Sequence, residues 1–121
     1  IWIDFQDALL GPRVYDLVAL LNDSYQAFDR PFIEARLDEY AAHLGLDEAG
    51  RIAVGREFDM FTVQRKLKDA GRFEFINRVK GNPGFLVSIP ASLRYVKAVL
   101  DRRPDLASLR EIVSRYVPEL A

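Results

Sequence analysis

The sequence predicts an all-α chain of about six helices, read as one domain over residues 1–121. Three observations predict it. Apolar residues recur at helical spacing in successive segments, each opened or closed by Pro, Gly or Asp. Half of the 121 residues are hydrophobic and 12% are aromatic, enough to bury a core. Only Ile1-Trp2-Ile3 reads as a strand, and two or three residues cannot form an independent sheet, so its partners are expected upstream of this chain.

The elements follow in order. After Gly11-Pro12, the residues Val14, Leu17, Val18, Leu21 and Tyr25 predict a first helix from Arg13 to about Ala27, with Pro12 at its entrance. Asp29 is an N-cap for a second helix, in which Pro31 takes the first turn and Ile33, Leu37, Tyr40, Ala41 and Leu44 form the buried stripe up to Gly45. Asp47 caps a third, central helix through Val54, Phe58, Met60, Phe61, Val63 and Leu67, and Gly50 and Gly55 weaken its start by up to ~1 kcal/mol each. Gly71 marks a stop, with a short fourth helix from Phe73 to Val79. Gly81-Asn82-Pro83-Gly84 is the strongest turn signal, followed by the apolar link Phe85-Leu86-Val87. Pro90 opens a fifth helix lined by Leu93, Val96 and Leu100, which Asp101-Arg102-Arg103-Pro104 ends. Leu106, Leu109, Val113 and Tyr116 set out the last helix, closed by Pro118.

Composition excludes several functions. Seventeen basic and eighteen acidic residues give a net charge of −1, so there is no bulk attraction to nucleic acid or to an anionic membrane. No cysteine is present, which removes disulfides, thiolate metal sites and cysteine nucleophiles and points to a reducing, cytoplasmic setting. No apolar run approaches the ~18–20 residues of a membrane helix. Gly45 to Ile52 has the glycine spacing of a phosphate-binding loop, but Arg51 and Ile52 stand where Lys and Ser/Thr are required. His43 is the only histidine and has no nucleophile at a suggestive spacing. Phe73, Phe75 and Phe85 read as core. Arg65, Lys66, Lys68 and Arg72 form a basic cluster, either a solvated face or an anion site.

The opening stretch carries the chemistry. A carboxylate at the end of a buried strand is a good holder for Mg²⁺, which prefers oxygen donors beside substrate phosphates, and Asp4 fits that role as well as it fits a capped turn. Asp16, between Tyr15 and Leu17, is expected to be drawn inward, where it needs hydrogen-bond donors to offset burial.

Ile3-Asp4-Phe5-Gln6-Asp7-Ala8, then Gly11-Pro12, then Tyr15-Asp16-Leu17-Val18-Ala19-Leu20-Leu21, resembles the corresponding segment of the aminoglycoside phosphotransferase and choline kinase-like family. The fold of that family is related to protein kinases. With Gln64-Arg65-x-Leu67-Lys68 downstream, the resemblance is strongest to the bacterial branch that phosphorylates the anomeric hydroxyl of N-acetylmuramate and N-acetylglucosamine in cell-wall recycling. It implies the helical C-terminal subdomain of a kinase-like fold, with Asp4 as a ligand of the Mg²⁺ that bridges the phosphates of ATP. Gln6 stands where protein kinases have glycine. The resemblance makes Asp16 a structural support for the catalytic loop. Asp7, Gln64, Arg65 and Arg72 are candidates to face the acceptor, an amino sugar or aminoglycoside-like molecule.

The chain contains no His-x-Asp-x-x-x-x-Asn segment, no glycine-rich nucleotide loop and no strand lysine. The base is therefore expected upstream, and the 121 residues alone are expected to be an inactive part of a kinase that self-associates through exposed apolar surface. The rival reading is a non-catalytic helical interaction module or a pseudokinase fragment. A catalytic-loop segment upstream of Asp4, or Mg²⁺-dependent ATP binding by the full-length protein, separates the two.

Overall fold

The computed structural model describes residues 9–23 and 25–121. Among them there are five α-helices and no strand. The expected strand at Ile1 to Ile3 lies outside the described residues.

Helix α1 spans Tyr15–Leu21 and starts where the Tyr15 N–H donates to the Pro12 carbonyl at 3.0 Å. It ends six residues before the expected Ala27. Two contacts turn the chain there: the Asn22 side chain donates to Thr62 Oγ1 of the distant central helix at 2.8 Å, and Asp23 Oδ1 captures the Tyr25 N–H at 3.1 Å, which a continuing helix would need. Tyr25, counted into the helical stripe on spacing alone, is instead 76% exposed.

Helix α2 spans Arg30–His43, with Asp29 accepting from the Phe32 N–H at 2.9 Å and Pro31 in the first turn. It stops at the expected place. Gly45 adopts φ +65°, and the Gly45 and Leu46 N–H groups return to the Ala42 and Ala41 carbonyls, which closes the helix by a Schellman motif.

Helix α3, Glu48–Lys80, is a single rod of 33 residues, about 50 Å long at 1.5 Å per residue. The expected stop at Gly71 does not occur, so the third and fourth predicted helices are one. A glycine inside a helix costs only about 1 kcal/mol, and here the loss is offset on both sides of Gly71. Upstream, Val54, Phe58 and Val63 of α3 lie in the apolar cores; downstream, Phe73 stacks on Phe85 with centroids 5.7 Å apart. The start holds as well, since Asp47 caps the Gly50 N–H at 2.8 Å. The real stop is Gly81, at φ +63°, where only glycine escapes the steric cost of the left-handed region.

Residues Pro83–Ser88, which include the apolar link read from the sequence, form a 3-10 helix capped by Asn82 on Gly84. Helix α4, Ile89–Arg102, follows with Pro90 in its first turn and ends at the expected Arg102. A 3-10 turn at Pro104–Leu106, helix α5 at Ala107–Ser114 and a last 3-10 turn at Pro118–Leu120 complete the chain.

Two apolar cores sit along α3. Val14, Val18 and Leu21, in and just before α1, meet Ile33, Leu37 and Ala41 of α2 and Val54 and Phe58 of α3. Farther along, Val63 packs with Val96, Val99 and Leu100 of α4 and with Leu120. Phe75, expected in the core, is 55% exposed. Between the cores runs a buried polar stripe, Asp59, Thr62 and Lys66, at the i, i+3, i+7 spacing that places them on one face of α3.

Candidate functional site

Asp4 and Asp7 lie outside the described residues. The candidate site among the described residues is built around α1. The break at Gly11-Pro12 leaves residues 9–16 as the wall of an open cleft of about 710 Å³, which Asp16 and Tyr15 complete. Val14 and Val18 are fully buried and fix α1 on the first core. Arg13 locks the entrance with a two-pronged ion pair to Glu57 at 2.8 and 2.9 Å, and the Tyr40 hydroxyl donates to the Arg13 carbonyl at 2.9 Å. Asp16 stands exposed in the first turn of α1 instead of being drawn inward; among the described residues nothing covers that side of α1.

Tyr15 links this cleft to the basic part of α3. Its ring meets Phe61 edge-on at 6.4 Å, and the Arg65 guanidinium lies 4.8 Å above it, a cation–π arrangement. At about 100° per residue, Gln64, Arg65, Lys68 and Arg72 share one stripe of α3. Gln64, Lys68 and Arg72 are exposed or nearly so, and Arg65 is half-buried. Among the described residues, Arg65 and Arg72 pair with no carboxylate, so this stripe carries uncompensated positive charge beside the cleft.

Lys66 does not belong to that stripe. It faces the opposite side, 3% exposed, with its ammonium 3.6 Å from Asp69 and 5.6 Å from the centre of the Tyr95 ring. Burial pushes its pKa below the ordinary lysine value, and the Asp69 carboxylate opposes that shift. The basic cluster of the sequence is thus divided by the helix period. His43 is exposed at the end of α2, with no catalytic company.

Sequence reasoning missed the most elaborate polar constellation. Asp59, 3% exposed, receives Arg30 of α2 at 3.0 Å and Arg102 of α4 at 2.5 and 3.3 Å, with Arg103 at 3.7 Å. Arg103 in turn holds Asp105 at 2.8 and 2.9 Å. One carboxylate therefore ties three helices together at the boundary of the two cores. A signal was present: Asp59 interrupts the apolar stripe of α3, and Arg30 and Arg102-Arg103 mark the ends of the helices that flank it.

No group of three or more His, Asp or Glu among the described residues could hold a metal ion. No helix among them is long and apolar enough to cross a membrane.

Comparison with known proteins converges on one chemistry. Residues 2–53 match the model of the phosphotransferase enzyme family. The chain is 34% identical over 119 residues to the N-acetylmuramate/N-acetylglucosamine kinase of Pseudomonas putida, covering 93% of this chain and 34% of that protein. It is 35% identical over 116 residues to the kinase of the same name from Pseudomonas aeruginosa, covering 93% of the chain and 34% of the relative. The kinase of that name from Neisseria meningitidis is 34% identical over 122 residues, covering 95% and 36%. The chain spans about a third of the length of these curated relatives. No solved structure matches it significantly.

Proposed function

We propose, from the match of residues 2–53 to the phosphotransferase enzyme family, that this chain is part of a small-molecule kinase that transfers phosphate from ATP to an amino sugar hydroxyl. One observation carries the proposal. The matched segment holds Asp4, Asp7 and Asp16 in a single spacing, and similarity to relatives named as amino sugar kinases extends beyond it over more than nine tenths of the chain.

Asp4 is the residue proposed to hold Mg²⁺. A single carboxylate suits that ion, which retains waters and phosphate oxygens as its other ligands. When bound, the metal supplies charge neutralisation at the transferring phosphate. A carboxylate oxygen is the donor type this hard cation prefers, and the described residues add no metal cluster of their own.

Asp16 is proposed to accept hydrogen bonds from backbone of the catalytic loop in the full-length protein, and its exposure on α1 leaves it open to such a partner. Gln64, Arg65 and Arg72 are proposed to face the acceptor side together with Asp7. The placement of Arg65 on the Tyr15 ring, beside the 9–16 cleft, supports that grouping. Positioning and electrostatics then do most of the catalysis, as in other phosphoryl transfers. We further propose a cytoplasmic setting, and self-association of the isolated chain through the exposed Leu9, Leu10 and Leu20. Sedimentation showing a strict monomer would remove that last point.

The test of the central proposal is phosphoryl transfer by the full-length protein with ATP and Mg²⁺, assayed across amino sugars, aminoglycosides and choline. Turnover with an amino sugar is expected, and Asp4→Ala is expected to abolish it while leaving the circular dichroism spectrum unchanged. Full activity in that variant would refute the role of Asp4.

A further inference from the structure

The entrance of α1 is gripped by successive turns of α3. Glu57, Phe61 and Arg65 follow one another a turn apart on that helix. Glu57 holds Arg13, and Tyr15 takes the other two: its ring meets Phe61 edge-on at 6.4 Å and lies under the Arg65 guanidinium at 4.8 Å. The backbone of the same residue closes the turn through which the chain enters α1, since the Tyr15 N–H donates to the Pro12 carbonyl at 3.0 Å. Tyr15 thus joins the wall of the 9–16 cleft to the stripe that carries Gln64, Arg65 and Arg72. The attachment of α1 to the fold rests on other residues. Val14 and Val18 are fully buried in the first core, whereas Tyr15 is only half-buried.

Arg65 is held without spending its donors. Arg13 gives two N–H groups to Glu57, but Arg65 forms no ion pair and no hydrogen bond among the described residues. A guanidinium over an aromatic face is attracted by the ring quadrupole, while its five N–H donors stay available to a ligand. That attraction also restricts a long side chain whose many rotamers are otherwise all open in water. The Tyr15 hydroxyl makes no hydrogen bond among the described residues, so the ring carries the contact.

We propose that Tyr15 is a positioning residue for phosphoryl transfer: its ring holds Arg65 ready for the acceptor, and its place at the turn fixes that arginine relative to the segment bearing Asp4. Tyr15 acts through Arg65 and takes no part in the chemistry itself. The leverage is large, because a misplacement of about 1 Å costs on the order of 100-fold in a reaction that depends on the alignment of two bound groups. This inference rests on the reading of the chain as part of a small-molecule kinase.

The test uses the full-length protein with isotope-labelled arginine, in which the Arg65 Nε–H resonance is identified by its loss in Arg65→Met. That proton is expected upfield, by the ring current, in the wild type and in Tyr15→Phe, and at the position of a free arginine in Tyr15→Leu. In turnover with N-acetylglucosamine, Tyr15→Leu is expected to raise the acceptor KM about tenfold at an unchanged KM for ATP, and Tyr15→Phe to recover most of that loss. Arg65→Met is expected to raise the same KM, and adding Tyr15→Leu to it is expected to change nothing more, as for two residues that act as one unit. Wild-type acceptor KM in Tyr15→Leu, a loss in Tyr15→Phe equal to that in Tyr15→Leu, additive losses in the double variant, an equal rise in the KM for ATP, or no upfield shift in the wild type overturns the proposal and leaves the kinase reading standing. Absence of turnover by the wild type with every amino sugar sinks the kinase reading and the positioning role together, so the two failures are told apart.

Discussion

At Asp59 a single side chain holds three arginines, and its removal would leave Arg102 without a carboxylate, and Arg30 with Glu34 alone, in a half-buried setting. Breaking a buried pair by deleting one partner costs about 3–5 kcal/mol, because the remaining charge is left uncompensated. Asp59→Ala is therefore expected to lower the unfolding free energy by that order, read from the urea midpoint at constant slope; a change below about 1 kcal/mol would class the cluster as a surface network. Asp105 behaves differently, being exposed. The Arg103 guanidinium, by hydrogen bond and by charge, holds its carboxyl down at about 2, against 3.8 for the free group. Since the folded-state value is depressed, the stabilisation it brings is present above pH 3.8 and is lost as pH falls through about 2. An NMR titration should find the Asp105 midpoint near the lower value, and Arg103→Ala should return it towards the upper one.

Among the elements, α3 is where spacing and packing disagree. Gly71 and Gly81 look alike as helix breakers in the sequence, yet only Gly81 has positive φ, and a Cβ at Gly71 would meet nothing within 4 Å. Gly71→Ala is expected to stabilise the protein by up to about 1 kcal/mol. Gly81→Ala is expected to destabilise it by about 1–2 kcal/mol, the cost of the left-handed conformation for an L side chain. Thermal melts of both variants check this, and destabilisation by Gly71→Ala would mean that the rod is interrupted there after all. The capped starts of α2 and α3 and the stop at Gly45 were legible because caps act over three or four residues. The end of α1 was not, since it depends on Thr62 reaching Asn22 from a distant part of the chain.

For the whole molecule, α3 joins both apolar cores, so they are expected to melt together. Phe58 is fully buried in the first core, and Phe58→Ala should cost about 3–5 kcal/mol without splitting the transition in two. Separate transitions by circular dichroism and Tyr fluorescence would show that the cores are independent. The sequence by itself determined the helical class, most caps, the turn after α3 and the family-like spacing of Asp4, Asp7 and Asp16, because each of these is written in residues close together along the chain. Only the tertiary structure decided that two predicted helices are one rod, that the basic cluster divides between an exposed stripe and a buried Lys66, and that Asp59 gathers Arg30, Arg102 and Arg103. Those outcomes depend on which faces of distant helices meet, and burial against a neighbour outweighs the ~1 kcal/mol preferences that local spacing can express.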